Sequence, residues 1–144
     1  MSTHCYIGRK INDDTVEYIY CHRDGYIQGG VGQMLVEHYQ TEDKVKELIA
    51  LGDISYLEEK LKPTKETHSY DTSEKGVTVA YHRDRGEDWK DVKPEKIYYI
   101  IYSPNYTKGI TYLFENGQWY VVTYQYIRGY GSKIDRTLIT DELE

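Results

Sequence analysis

A single phenylalanine and two tryptophans accompany 17 tyrosines among 144 residues, so the aromatic surface of this chain carries hydroxyls almost everywhere. Tyrosine suits positions that are half buried and half wet, which favours interfaces and stacking sites over a deep dry core. The composition therefore points to a sheet with one face engaged by a ligand, a partner or another copy, and a homo-oligomer is expected. Long apolar runs are missing too: no stretch approaches the roughly 20 residues of a membrane span, and the opening Met-Ser-Thr-His is not a secretion signal. A cytoplasmic protein is expected. Positive charge is short, with a net charge of −6, which argues against duplex nucleic acid or an anionic membrane as the main partner. Cysteine is scarce, and in the cytosol Cys5 and Cys21 are expected to be reduced core residues. The length suits a single domain over residues 1–144.

What the chain does contain is ordered as strands, helices and strands. Segments His4 to Gly8 and Val16 to His22 flank the turn cluster Asn12-Asp13-Asp14. A hairpin there would pair Ile7 with Ile19, Arg9 with Glu17 and Cys5 with Cys21. Strand alternation then puts both cysteines on one face and His4 and His22 on the other, so no Cys2His2 metal site is expected. Val31, Met34, Leu35, His38 and Tyr39 fall at helical spacing, and Thr41 caps a second helix that stops at Gly52. Asp53 is read as the cap of a third short helix through Ile54, Leu57 and Leu61. Residues Lys62 to Lys75 read as a surface loop, Val77 to His82 and Ile97 to Tyr102 as strands. Asn116-Gly117 closes a two-residue hairpin that sets Phe114 against Trp119 and Tyr112 against Val121. Beyond Tyr126 the chain reads as loop and an acidic tail or short helix. The simplest assembly is an α+β domain: an antiparallel sheet of about five or six strands with two or three short helices on one face.

Two charged strand exits are the candidate chemistry. His22, Arg23, Asp24, Gly25 and Tyr26 lead into Gly29, Gly30 and Gly32 and then a helix, an arrangement expected to aim amides and an arginine at an anion such as phosphate. The same residues are equally ordinary turn chemistry. The second exit repeats His-Arg-Asp at 82 to 84, with Tyr81, Arg83 and Arg85 beside Gly86. Were the exits to converge, Arg23, Arg83 and Arg85 would form a basic concavity with Tyr20, Tyr26 and Tyr81 stacking on a base. The alternative is that these arginines pair with neighbouring acids on the surface. A kinase loop needs Asn five residues after the Asp, where this chain has Gly29 and Trp89. The phosphate-loop and dinucleotide signatures fail as well, at Gln33 and Leu35. No nucleophile has a recognisable setting, so no catalytic residue and no cofactor are expected. His22 with Asp24, or His82 with Asp84, remains the weaker pairing for a hydrolase.

Together, Tyr20-Cys-His-Arg-Asp-Gly-Tyr26, the helix from Lys44-Val45 to Leu51-Gly52-Asp53, Tyr81-His-Arg-Asp-Arg-Gly-Glu87 and Asn116-Gly-Gln-Trp119 resemble a family of small, mostly uncharacterised bacteriophage and prophage proteins, over most of the chain. In that family an aromatic commonly stands between the His and Asp of the first motif, where this chain has Arg23. The resemblance implies a phage-derived protein in the host cytoplasm, and such accessory proteins often blunt host immunity. The first expectation is a binding protein that sequesters a phosphate-bearing nucleotide signal. The second is a protein–protein inhibitor that covers a basic site on a host defence protein with its acidic, tyrosine-rich surface. A phosphodiesterase-type hydrolase is the third.

Overall fold

Apolar and polar residues alternate along the first two segments, and the computed structural model, which describes residues 4–65, 68–69, 71–98, 110–127, 129 and 131–142, folds them into the expected hairpin. Strands β1 (Cys5–Lys10) and β2 (Thr15–Cys21) are antiparallel, with Cys5 opposite Cys21, Ile7 opposite Ile19 and Arg9 opposite Glu17. Asn12 shapes the turn, its Oδ1 accepting from the amides of Asp14 and Thr15 at 2.9 Å each. After the glycine loop come α1 (Val31–His38) and α2 (Glu42–Ala50). Thr41 caps α2 as expected, accepting from the Lys44 amide at 3.2 Å.

The stretch after α2 departs from the sequence reading. Ile54 to Tyr56 form a strand, β3, rather than a third helix. Gly52 turns the chain at φ 78°, and the carbonyls of Ile54 and Ser55 accept from the amides of His22 and Arg23, so that β3 extends the sheet. The two helices form the crossover that brings β3 in parallel to β2, at Cys21 and Ile54. Asp53 is consumed differently as well: its Oδ1 accepts from the Tyr20 amide at 2.9 Å, which ties it to β2 instead of a helix start. The next strand, β4 (Val79–Ala80), pairs antiparallel with β3 and is shorter than expected. Tyr81 to Arg85 wind into a helical turn, α3, because Asp84 Oδ2 accepts from the Ala80 amide at 2.8 Å. A second turn, α4 (Trp89–Val92), leads to β5 (Glu95–Tyr98), which pairs with β2 from Tyr18–Glu95 to Thr15–Tyr98. The rest of the strand expected through Tyr102 lies outside the described residues.

On the far side of the hairpin, β6 (Ile110–Glu115) runs parallel to β1, and β6 and β7 (Gln118–Ile127) form the expected hairpin. Asn116 and Gly117 adopt φ of 52° and 77°, both left-handed as that tight turn demands. Beyond the expected loop the chain forms a further strand, β8 (Gly131–Leu138), antiparallel to β7, and of the two readings of the last residues, acidic tail or short helix, Ile139–Glu142 take the second as α5. Among the described residues the sheet thus has eight strands, in the order β4-β3-β2-β1-β6-β7-β8 with β5 also on β2. It is mixed, not antiparallel, because β1–β6 and β2–β3 are parallel.

The core fills the space between one sheet face and α1, α2 and α5. Ile7, Ile19, Tyr112 and Phe114 from the strands meet Leu35, Leu48, Ile49 and Ile139 from the helices. Tyrosine enters this core more deeply than composition suggested: Tyr39 and Tyr112 are fully buried. Each places its hydroxyl on a carbonyl, Tyr112 on Gly25 at 2.6 Å and Tyr39 on Glu58, while the Trp119 indole donates to Tyr39 O at 2.7 Å. A buried phenol with a partner costs little and one without would be expensive, so these bonds let tyrosine do a phenylalanine's work. The opposite sheet face carries a smaller apolar patch around Val16, Tyr18, Leu113 and Val122, with Tyr6 at its margin.

Candidate functional site

At the first exit the amides expected to meet an anion are spent on the chain itself. Asp24, with φ 58°, turns the backbone so that its carbonyl accepts from the Val31 amide at 2.7 Å. The Gly32 amide donates to Tyr26 O at 3.2 Å and the Gln33 amide to Ile27 O at 2.8 Å. The first turn of α1 is therefore closed by its own loop. The glycines follow from that closeness: a Cβ on Gly30 would lie 2.4 Å from Asp24 O, and one on Gly25 2.9 Å from the Cys5 Cβ. Gly32 faces Ile27 and the Tyr112 hydroxyl in the same way, whereas Gly29 is open and serves a positive φ. Among the side chains, His22 Nδ1 shares a hydrogen bond with the Tyr20 hydroxyl at 2.9 Å, and the exposed Tyr26 donates to Asp24 Oδ1 at 2.8 Å. Arg23 sits 6.0 Å from the centre of the Tyr56 ring.

The second exit is a bracket. Arg83 donates to Leu61 O at 2.5 Å, to Thr78 O at 2.7 Å and to both oxygens of Asp84. Asp84, with a side chain 3% exposed, also lies 3.3 Å from His68 Nε2, and His68 Nδ1 accepts from the Glu74 amide. Arg83 and the Ala80 amide outweigh burial and hold the Asp84 carboxyl below its ordinary value. Arg85 lies over the Tyr81 ring at 4.6 Å and 3.6 Å from Glu87, while His82 Nδ1 is bonded to Glu87 O and its ring edges Trp89. In neither motif does the histidine take the aspartate two residues on as its orienting partner. The exits also part: the chain after Cys21 runs on beside Ser55, whereas the Tyr81 amide donates to Asp53 O at the other end of β3.

A different set of residues converges. Tyr6 and Tyr20 face each other across β1 and β2, and Tyr18 lies two residues along, so alternation puts all three rings on the face away from the helices. Tyr6 meets Tyr18 edge-on at 5.9 Å and Tyr20 at 5.7 Å. Beside them β2 changes partners: β5 pairs as far as Tyr18 and β3 begins at Cys21. The gap between is bridged by Asp53, which takes the Tyr20 amide, and the notch that results is a cleft of about 290 Å³ lined by Tyr6, Tyr18, Tyr20, Asp53, Lys93 and Glu95. Burial, with a lesser push from Glu95, raises the Asp53 carboxyl to about 6, although the Tyr20 amide works the other way. The Tyr18 hydroxyl donates to Glu95 Oε2 at 3.0 Å, and burial beside that acid raises the phenol further. Tyr20 is likewise raised by burial, to about 12. Tyr18 and Tyr20 are therefore neutral donors near pH 7. Among the described residues no group of three or more His, Cys, Asp or Glu is arranged to hold a metal ion, and no helix is long and apolar enough to cross a membrane.

The tyrosine face was within reach of the sequence, since the hairpin register already places Tyr6 opposite Tyr20. Asp53, Lys93 and Glu95 were not, because they arrive through the pairings of β3 and β5 with β2. Compared with known proteins, the chain matches no family model, no curated protein and no solved structure.

Proposed function

We propose that this chain is a non-catalytic binding protein of bacteriophage origin that blunts a host defence protein by covering a basic site with its tyrosine-rich, acidic face. The supporting observation is the cleft at the β2 edge, where three tyrosine rings surround two carboxylates and one ammonium. Tyrosines combine contact area with hydrogen bonding at low entropic cost, and the net charge of −6 would speed docking onto a basic target. The test is retention of a protein from bacterial lysate on the immobilised chain, compared with Tyr6→Ala and Tyr20→Ala. Each substitution should weaken capture by about 2 kcal/mol, roughly thirtyfold, if the tyrosines anchor the contact. Capture by both variants as strong as by the parent chain would contradict this reading.

The second reading is sequestration of a phosphate-bearing nucleotide signal in the same cleft, with a base against Tyr6 or Tyr20 and phosphate toward Lys93. Lys93 in the lining is the observation in its favour. The arginine clamp expected at the second exit lends it little, since Arg83 is committed to protein acceptors. Calorimetry with cyclic and ADP-ribose-type nucleotides separates the readings: heat that disappears in Lys93→Ala would favour the nucleotide.

A further inference from the structure

We infer that the cleft where β2 passes from β5 to β3 seats one guanidinium group, the side chain of an arginine presented by a protein partner. The inference rests on the binding-protein reading above and specifies what that face recognises. Two carboxylates, Asp53 and Glu95, stand against one ammonium, Lys93, in a lining otherwise made of tyrosine rings. The electron-rich faces of those rings attract a cation and do nothing comparable for a phosphate.

The acceptors are partly spent and partly available. Asp53 gives Oδ1 to the Tyr20 amide, and Glu95 gives Oε2 to the Tyr18 hydroxyl. A carboxylate has two oxygens with about four lone-pair sites, so each retains capacity for further donors. A guanidinium offers five donors in one plane and stacks on aromatic faces, whereas a lysine ammonium is a compact, strongly hydrated point charge. A cleft of about 290 Å³ admits the head of one arginine side chain with room for water beside it. The two acids also repel each other, since Glu95 helps to raise Asp53. A cation set between them would relieve that repulsion, and an anion would add to it.

The test is an NMR titration of the tyrosine ring signals with the capped peptide Gly-Arg-Gly, its isosteric uncharged citrulline counterpart, Gly-Lys-Gly and inorganic phosphate. The Tyr6, Tyr18 and Tyr20 signals should shift saturably with the arginine peptide, with Kd on the order of 1 to 10 mM as befits one exposed contact. They should shift less with lysine and not with citrulline. Lys93→Ala should tighten arginine binding about threefold by removing a competing cation, whereas a phosphate seat would be weakened by the same change. Asp53→Asn should abolish the shift while the fold persists, because the Asn carbonyl still accepts from the Tyr20 amide. Saturable phosphate binding lost in Lys93→Ala, or equal response to arginine and citrulline, would overturn the inference. So would a host protein retained as well by Asp53→Asn as by the parent chain, an outcome that leaves the binding-protein reading standing. Arginine binding with no host protein retained would support the cleft chemistry and remove that reading instead.

Discussion

Arg83 shows how one side chain reverses its reading once its neighbours are known. In the sequence it follows a strand and precedes a glycine, which suits a phosphate clamp. In the fold its donors go to Leu61 O, Thr78 O and Asp84, and bind residues 61 and 78 to α3. No local pattern could reveal those acceptors, because Leu61 is 22 residues away along the chain. Arg83→Ala should therefore destabilise the protein by about 2 to 4 kcal/mol, since it strips the main cation from a nearly buried Asp84. Arg85→Ala, which loses a partly exposed pair with Glu87 and the stack on Tyr81, should change stability by no more than about 1 kcal/mol. Urea unfolding of both variants checks the contrast, and equal midpoints would refute the bracket. Asp53 gives a pH signature. The folded chain holds its proton more tightly than the unfolded chain does, so the native state binds more protons between the ordinary carboxylate range and about 6. Asp53 thus favours folding most below that window, and its contribution is lost as pH rises through it. Glu58 is raised too, so the difference between the parent and Asp53→Asn isolates Asp53. Asp53→Asn should gain on the parent as pH climbs from about 4 to 7 in urea melts; a constant difference would count against a buried carboxylate.

At the level of elements, short-range chemistry was readable and partner choice was not. The hairpin registers, the Thr41 cap and the Asn116-Gly117 turn depend on residues within a few positions of one another, and all appear where their chemistry puts them. The glycine loop was recognisable as a turn, but its tightness was not, because it arises from packing against Asp24, Tyr26 and Ile27. That tightness separates two neighbouring glycines. Gly30→Ala would press a methyl onto the Asp24 carbonyl and should cost about 2 to 3 kcal/mol. Gly29→Ala meets open space and carries only the strain of φ 72°, about 1 kcal/mol. Thermal melts that ranked them the other way would show the loop to be looser than described. The misread elements, β3 and β8, exist because another strand offers its edge. Ile54-Ser55-Tyr56 has too few residues for a periodicity, and the β2 edge decides its conformation.

Across the whole molecule, the expected α+β class holds, while the parallel pairing of β1 with β6 was beyond reach. Those strands come together after about a hundred intervening residues, and nothing in either one encodes the other's direction. The candidate site belongs to that scale. Its rings come from one hairpin, but its carboxylates come from the ends of a helical crossover and a late strand, so only the assembled sheet unites them. This also explains why the charged exits drew attention first: they are contiguous in sequence, and the cleft is not. The central claim is that the tyrosine face, rather than the glycine loop, meets the partner. The most direct measurement places photoreactive benzoylphenylalanine at Tyr6 in one variant and at the exposed Tyr26 of the glycine loop in another, followed by irradiation in bacterial lysate. The expected result is a crosslinked host protein from position 6, joined at a basic surface, and none from position 26. Crosslinking from position 26 with nothing from position 6 would contradict the claim and return the function to the glycine loop.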